Sequence, residues 1–180
     1  MRIGILTYHS VPNFGAQLQT FSTVCYLRKQ GHTPVVLNWN PRDLEDGYAS
    51  YIPKEQFDCH RDFASRCFPL SSLCRKENDL LEEIEKLQID AIRLGSDALF
   101  KYIPVKRRWM LKMGTYKPRI MHVNTPSVER LHGNPFFAGF VHKLKESVPA
   151  ATYAVSSQNC PYDDMTFFEK RLMKKYLDNL

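Results

Sequence analysis

Three short polar stretches hold the residues best able to do chemistry: Tyr8 to Gln17, Gly95-Ser96-Asp97, and Ser156-Ser157-Gln158. In the first, His9 can give or take a proton near neutral pH. Asn13 can cap a helix or donate to a ligand, and Gly15 lets a ligand approach the backbone. Tyr8, Phe14 and Gln17 flank them. In the second, Gly95 permits a sharp turn, Ser96 offers a hydroxyl, and Asp97 can orient or deprotonate a substrate hydroxyl. In the third, Ser156 is a further polar contact. Each stretch also has a plainer reading. Asn13, Ser96 and Asp97 are favoured helix caps, and His9 can be a surface residue.

Other chemistries are disfavoured. There is no GxGxxG fingerprint, and the second apolar run ends in Asn38 and Asn40 with no acid to hold a ribose, which argues against a dinucleotide. Five cysteines occur without a CxxC pair, and six histidines without HExxH spacing. Neither a metal site nor a disulfide framework is expected, and no cofactor is implied.

The elements that must position these residues follow from apolar periodicity. Residues 2–7 form a buried strand, 16–30 a helix, and Thr33-Pro34 enters a second strand. Phe14, Leu18, Phe21 and Cys25 make one helical stripe, widened by Val24 and Leu27, which predicts the core-facing side. Gly31 stands at the C-cap position. Residues 41–76 read as a loop-rich insertion with one short helix near Phe57 to Cys67. Residues 77–88 form an acidic amphipathic helix, and Ile89 to Leu94 a third strand. The segment 98–148 is basic and irregular, with a short helix near Phe140 to Glu146. Ala151 to Val155 is a fourth strand, and Asp163 or Asp164 caps a last helix, Met165 to Leu180. The Asn134-Pro135-Phe136-Phe137 run is a packing anchor by preference. A strand–helix–strand opening predicts a parallel sheet. The chain of 180 residues is therefore expected to be one α/β domain, a Rossmann-like open parallel sheet flanked by helices. Open sheets of this kind bind ligands beyond the carboxyl ends of their strands, where all three polar stretches lie.

Charge is uneven. Residues 1–90 carry ten basic against twelve acidic side chains, and residues 91–180 fifteen against seven. Lys101 to Arg119 holds seven basic residues and no acid, which favours contact with an anionic surface. Nucleic acid is disfavoured because no binding motif accompanies the charge. Arg2 precedes an apolar run too short for a signal peptide, and no run reaches membrane-span length. A cytoplasmic location is expected, with peripheral contact at the inner face of the membrane as the variant.

Thr7-Tyr8-His9, Asn13-Phe14-Gly15-Ala16 and Leu18-Gln19, followed by Gln30-Gly31-His32, resemble the opening motif of the polysaccharide pyruvyl transferase family. Gly95-Ser96-Asp97, Asn134-Pro135-Phe136-Phe137 and Ala151-Thr152-Tyr153-Ala154 resemble its later motifs, in the same order. The chain departs from the family after Asp97, reading Ala98-Leu99-Phe100-Lys101 where Gln-Val-Trp-Asn is usual. The resemblance implies the N-terminal half of a two-domain, GT-B-like transferase. That enzyme moves a pyruvyl group from phosphoenolpyruvate to a glycan or lipid-linked sugar of a cell-surface polysaccharide, forming a ketal. The acceptor would lie against Tyr8, Asn13, Phe14, Gly15, Gln17, Gly95, Ser96 and Ser156, with Asp97 or His9 as the base. Donor-binding Arg and His residues belong to the family's C-terminal domain, so this chain is expected to need that domain for turnover. A non-catalytic carbohydrate-binding or scaffolding domain is the alternative.

Overall fold

The computed structural model describes residues 1–103, 107–112, 115–120 and 126–180, the two strands 107–112 and 115–120 by their backbone alone. Four strands form an all-parallel sheet: β1 (Arg2–Leu6), β2 (Thr33–Val36), β3 (Ala91–Leu94) and β6 (Ala150–Thr152), in the order β2-β1-β3-β6. Ile3 pairs with Pro34 on one side and Ala91 on the other, and Leu94 pairs with Thr152. Bridges Val36–Leu70 and Trp39–Cys74 lengthen the β2 edge. The expected α/β fold with an open parallel sheet is present.

Strand alternation sends successive side chains to opposite faces. Ile5 and Val36 pack with Val24 and Leu27 of α1 (Phe14–Lys29) and with Ala64 of α3 (Lys54–Cys67). On the other face Leu6, Leu37 and Leu94 pack with Leu80 and Ile84 of α4 (Glu77–Lys86). A Cβ on Gly4 would lie 3.1 Å from both Ile89 and Leu37, so that face closes tightly over β1. A parallel sheet is stable only when both faces are covered in this way. Each buried Leu or Ile contributes about 1.5–3 kcal/mol.

Three expectations need correction. First, α1 buries Ala16, Gln17, Thr20, Thr23, Val24 and Leu27. The stripe Phe14, Leu18, Phe21 and Cys25 faces outward instead, with Phe14 68% exposed, while its expected flank, Val24 and Leu27, is buried. The buried side is mostly small or β-branched, which lets the helix axis lie close to the sheet. Gln17 fixes its rotation, donating to the His60 carbonyl at 2.9 Å while its Oε1 meets His60 Nδ1 at 2.8 Å. Second, residues 41–76 hold two helices rather than one: α3 extends the helix expected near Phe57 to Cys67 back to Lys54, and α2 (Arg42–Ala49) precedes it. Prolines 41 and 53 occupy the two N-cap positions, where a missing N–H costs nothing. Third, the 98–148 segment contains a hairpin of β4 (Arg107–Lys112) and β5 (Thr115–Ile120) and three short 3₁₀ turns.

Asn13 caps α1, accepting from the Ala16 N–H at 3.0 Å. Gly31, at φ +79°, ends it in a Schellman arrangement: His32 N–H bonds to Leu27 O and Gly31 N–H to Arg28 O. The cap of α5 (Phe167–Leu177) is Thr166 rather than Asp163 or Asp164, in a reciprocal box with Glu169. Among the described residues no helix is long and apolar enough to cross a membrane.

Candidate functional site

The loops leaving β1, β3 and β6 meet beyond the carboxyl ends of those strands. Thr7 Oγ1 donates to the Ser96 carbonyl at 2.7 Å, joining the first two loops. Ser156 N–H donates to Asp97 O at 3.0 Å and Phe100 N–H to Ser156 O at 3.1 Å, joining the second and third. Gly95 is required at this junction. Its φ is +110°, and a Cβ there would sit 2.2 Å from the Tyr153 carbonyl oxygen. The Gly95–Ser96 peptide is cis. Asp97 holds φ +125°, a conformation that a side chain rarely adopts and that clusters at ligand sites.

Together the loops wall a crevice of about 350 Å³, within the size range of small-ligand sites. Tyr8, Asn13, Asp97 and Gln158 come from the three loops. The opposite wall is α2, which supplies Asp43, Leu44, Tyr48 and, beyond its end, Tyr51. Lys101 and Glu129 close one end, with Lys101 Nζ 2.5 Å from Glu129 Oε1. Asp43 anchors α2 to the 3₁₀ turn Ser127–Glu129, accepting from the Ser127 N–H at 2.6 Å and its hydroxyl at 2.8 Å.

The Asn134-Pro135-Phe136-Phe137 run lies behind the crevice and supports two of its lining residues, Val128 and Tyr8. Asn134 donates to the Val128 carbonyl at 2.6 Å and accepts from the Phe136 N–H at 3.1 Å. Buried Phe136 then meets the Tyr8 ring edge-on at 4.8 Å. Burial raises the Tyr8 phenol above the ordinary tyrosine range, and Glu129, Tyr48 and Asp97 add to the rise. Tyr48 is raised too, first by burial and then by Asp97. Both phenols therefore stay protonated at neutral pH and can donate as well as accept. Tyrosine rings, neutral hydroxyls and a carboxylate suit a polyhydroxylated ring with one polar and one apolar face.

Of the residues singled out from sequence, Tyr8, Asn13 and Asp97 share this crevice. His9 does not. It is 1% exposed, with Nδ1 3.2 Å from the Thr7 carbonyl and Nε2 3.0 Å from Asn38 Oδ1. Burial lowers its pKa, so it is a neutral strut between the ends of β1 and β2. Gln17 is committed to His60, and Phe14 and Gly15 lie on the exposed first turn of α1. Gly95 and Ser96 build the turn behind Asp97. Ser156 lines a neighbouring depression with Phe100 and Tyr162, and Gln158 reaches the crevice in its place. Of the basic stretch Lys101 to Arg119, Lys101 stands in the crevice wall; the side chains from residue 104 onward lie outside the described residues.

Sequence reasoning missed the α2 wall and Glu129. Leu44, Gly47, Tyr48 and Tyr51 do follow i, i+3, i+4, i+7 spacing, a legible helical stripe. Nothing local marks Glu129 as the partner of Lys101. Among the described residues no cluster of His, Cys, Asp and Glu is arranged to hold a metal ion. Compared with protein-family models, with curated proteins and with solved structures, the chain matches none.

Proposed function

We propose that this crevice binds the acceptor sugar of a polysaccharide pyruvyl transferase-like enzyme. The observation that carries the reading is the meeting of Tyr8, Asn13 and Asp97, residues of two motifs that resemble that family, in one polar, tyrosine-walled crevice. In the proposed reaction, phosphoenolpyruvate is protonated at its methylene carbon. A sugar hydroxyl then adds to the carbon bearing the phosphate, and Asp97 takes the hydroxyl proton. A second hydroxyl of the same sugar closes the ketal, its proton leaving with the phosphate it displaces, and the proton held by Asp97 returns to the solvent that supplies the methylene proton. Tyr8 and Tyr48 orient the hydroxyls, since directional hydrogen bonds to a reacting group convert binding into alignment. The phosphate and carboxylate of the donor need cations, which this reading assigns to a C-terminal domain. Phosphoenolpyruvate and a cell-surface glycan or lipid-linked sugar are the substrates so implied. The workplace is the cytoplasm or the inner face of the membrane, where the segment through Arg119 would meet an anionic surface.

A second reading, a carbohydrate-binding or scaffolding domain without turnover, is favoured by one observation. Among the described lining residues Lys101 is the only cation, and it is paired with Glu129. Incubation with phosphoenolpyruvate, a panel of glycans and a donor-binding C-terminal domain from the family separates the two. Phosphate release that Asp97→Ala abolishes supports the transferase. Glycan binding without phosphate release supports the binding domain, and the lack of both rejects the sugar reading.

A further inference from the structure

We propose that the crevice of this domain alone sorts ligands by charge, admitting neutral or amine-bearing sugars and turning away those that carry carboxylate or phosphate; phosphoenolpyruvate is turned away too until the cations assigned to a C-terminal domain hold it. The inference rests on the acceptor-sugar reading above. The described lining holds three carboxylates, Asp43, Asp97 and Glu129, against one ammonium, Lys101. Lys101 is engaged by Glu129 at 2.5 Å. Among the described lining residues, Asp43 and Asp97 are left without a cation partner. Their hydrogen bonds do not neutralise them. Asp43 accepts from the N–H and hydroxyl of Ser127, and Asp97 Oδ1 from the Ala98 N–H at 2.6 Å. Neutral donors fix a carboxylate in place and leave its charge intact. The phenols sense the carboxylates as well: after burial, the larger cause, Asp97 and Glu129 raise both Tyr8 and Tyr48, with Lys101 opposing them at Tyr48. An anionic ligand entering here meets like charge inside a partly enclosed wall, where screening is weaker than in open water. A neutral sugar loses nothing to that field, and an ammonium group gains from it.

The test uses the isotope-labelled chain at low ionic strength, titrated separately with methyl glucoside, glucosamine, glucuronate, glucose 6-phosphate and phosphoenolpyruvate. Amide shifts at Tyr8, Asn13 and Asp97 are expected with the first two, at affinities roughly tenfold or more above the other three. Added salt should narrow that gap. Asp43→Asn keeps an oxygen to accept from Ser127 and removes one charge, so the ratio of glucoside to glucuronate affinity should fall about three- to tenfold. A direct reading of the field comes from nitroxide probes: a cationic nitroxide should broaden the Tyr8 and Asp97 resonances more than an anionic one. Equal or tighter binding of glucuronate or phosphoenolpyruvate, or the reverse nitroxide order, overturns charge sorting and leaves the sugar reading standing. Absence of shifts with all five compounds removes the sugar reading, and this inference with it.

Discussion

Gly95 and His9 serve the crevice in different ways, and neither touches its ligand space. At Gly95 the turn combines φ +110° with a Tyr153 carbonyl where a Cβ would go. Gly95→Ala should therefore cost roughly 3 kcal/mol or more. Gly133→Ala, at φ +70° with open space around it, should cost about 1–2 kcal/mol. Urea unfolding of the two variants reads the difference, and equal losses would contradict the steric account. His9 gives a pH prediction. Its folded pKa is lowered by burial, so the folded state holds fewer protons than the unfolded one below about pH 6.5. Its contribution is complete above that value and erodes as pH falls, by up to about 1.4 kcal/mol per pH unit. His9→Gln should flatten the stability loss between pH 7 and pH 5. A variant as acid-sensitive as the wild type would show that another group titrates.

At the scale of elements, α1 has its bulkiest apolar residues on its outer side. Phe14→Gln should change stability by no more than about 0.5 kcal/mol, whereas Leu27→Ala, at a position 7% exposed, should cost about 2–5 kcal/mol. Denaturant midpoints decide between this orientation and the one that periodicity suggests. The parallel strands are legible in the sequence because apolar runs such as Val35-Val36-Leu37 fit a sheet covered on both faces. The buried face of α1 is legible only at Val24 and Leu27, because hydrophobicity favours Phe14, Leu18 and Phe21, while close approach to the sheet favours Ala16, Thr20 and Thr23. Pro41 and the interior Gly47 hide α2, and Pro53 hides the first turn of α3, since helix breakers read as loop. Tyr8, Asn13 and Asp97 are legible because a strand end predicts where a loop residue will stand. Tyr48 and Glu129 are not, because they reach the crevice only through tertiary packing.

At the scale of the molecule, the sheet and the C-terminal helix are joined through aromatic packing. Phe137 is fully buried, stacks on Phe100 at 5.5 Å, and meets Tyr102 edge-on at 6.5 Å. It shares a cluster with Met165, and Leu172 and Tyr176 of α5 pack against that cluster. Next to it, a Cβ on Gly139 would lie 2.9 Å from the Tyr176 ring. Phe137→Ala should cost about 3–5 kcal/mol and loosen α5 together with the Phe100 to Tyr102 segment, seen as faster amide exchange in both. Faster exchange in α5 alone would mean that the helix is a separate unit.

The pairing of Ile3 with Ala91 also sets a timetable for synthesis. Elongation proceeds at about 5–20 residues per second, so a ribosome leaves β1 without its central neighbour for roughly 4–18 s. Gln158 emerges later still, so the crevice has no complete wall for a ligand until that residue has been made. Until then Ile5 and Leu6, fully buried in the finished fold, have no complete sheet to enter, and their apolar surface stays open to association.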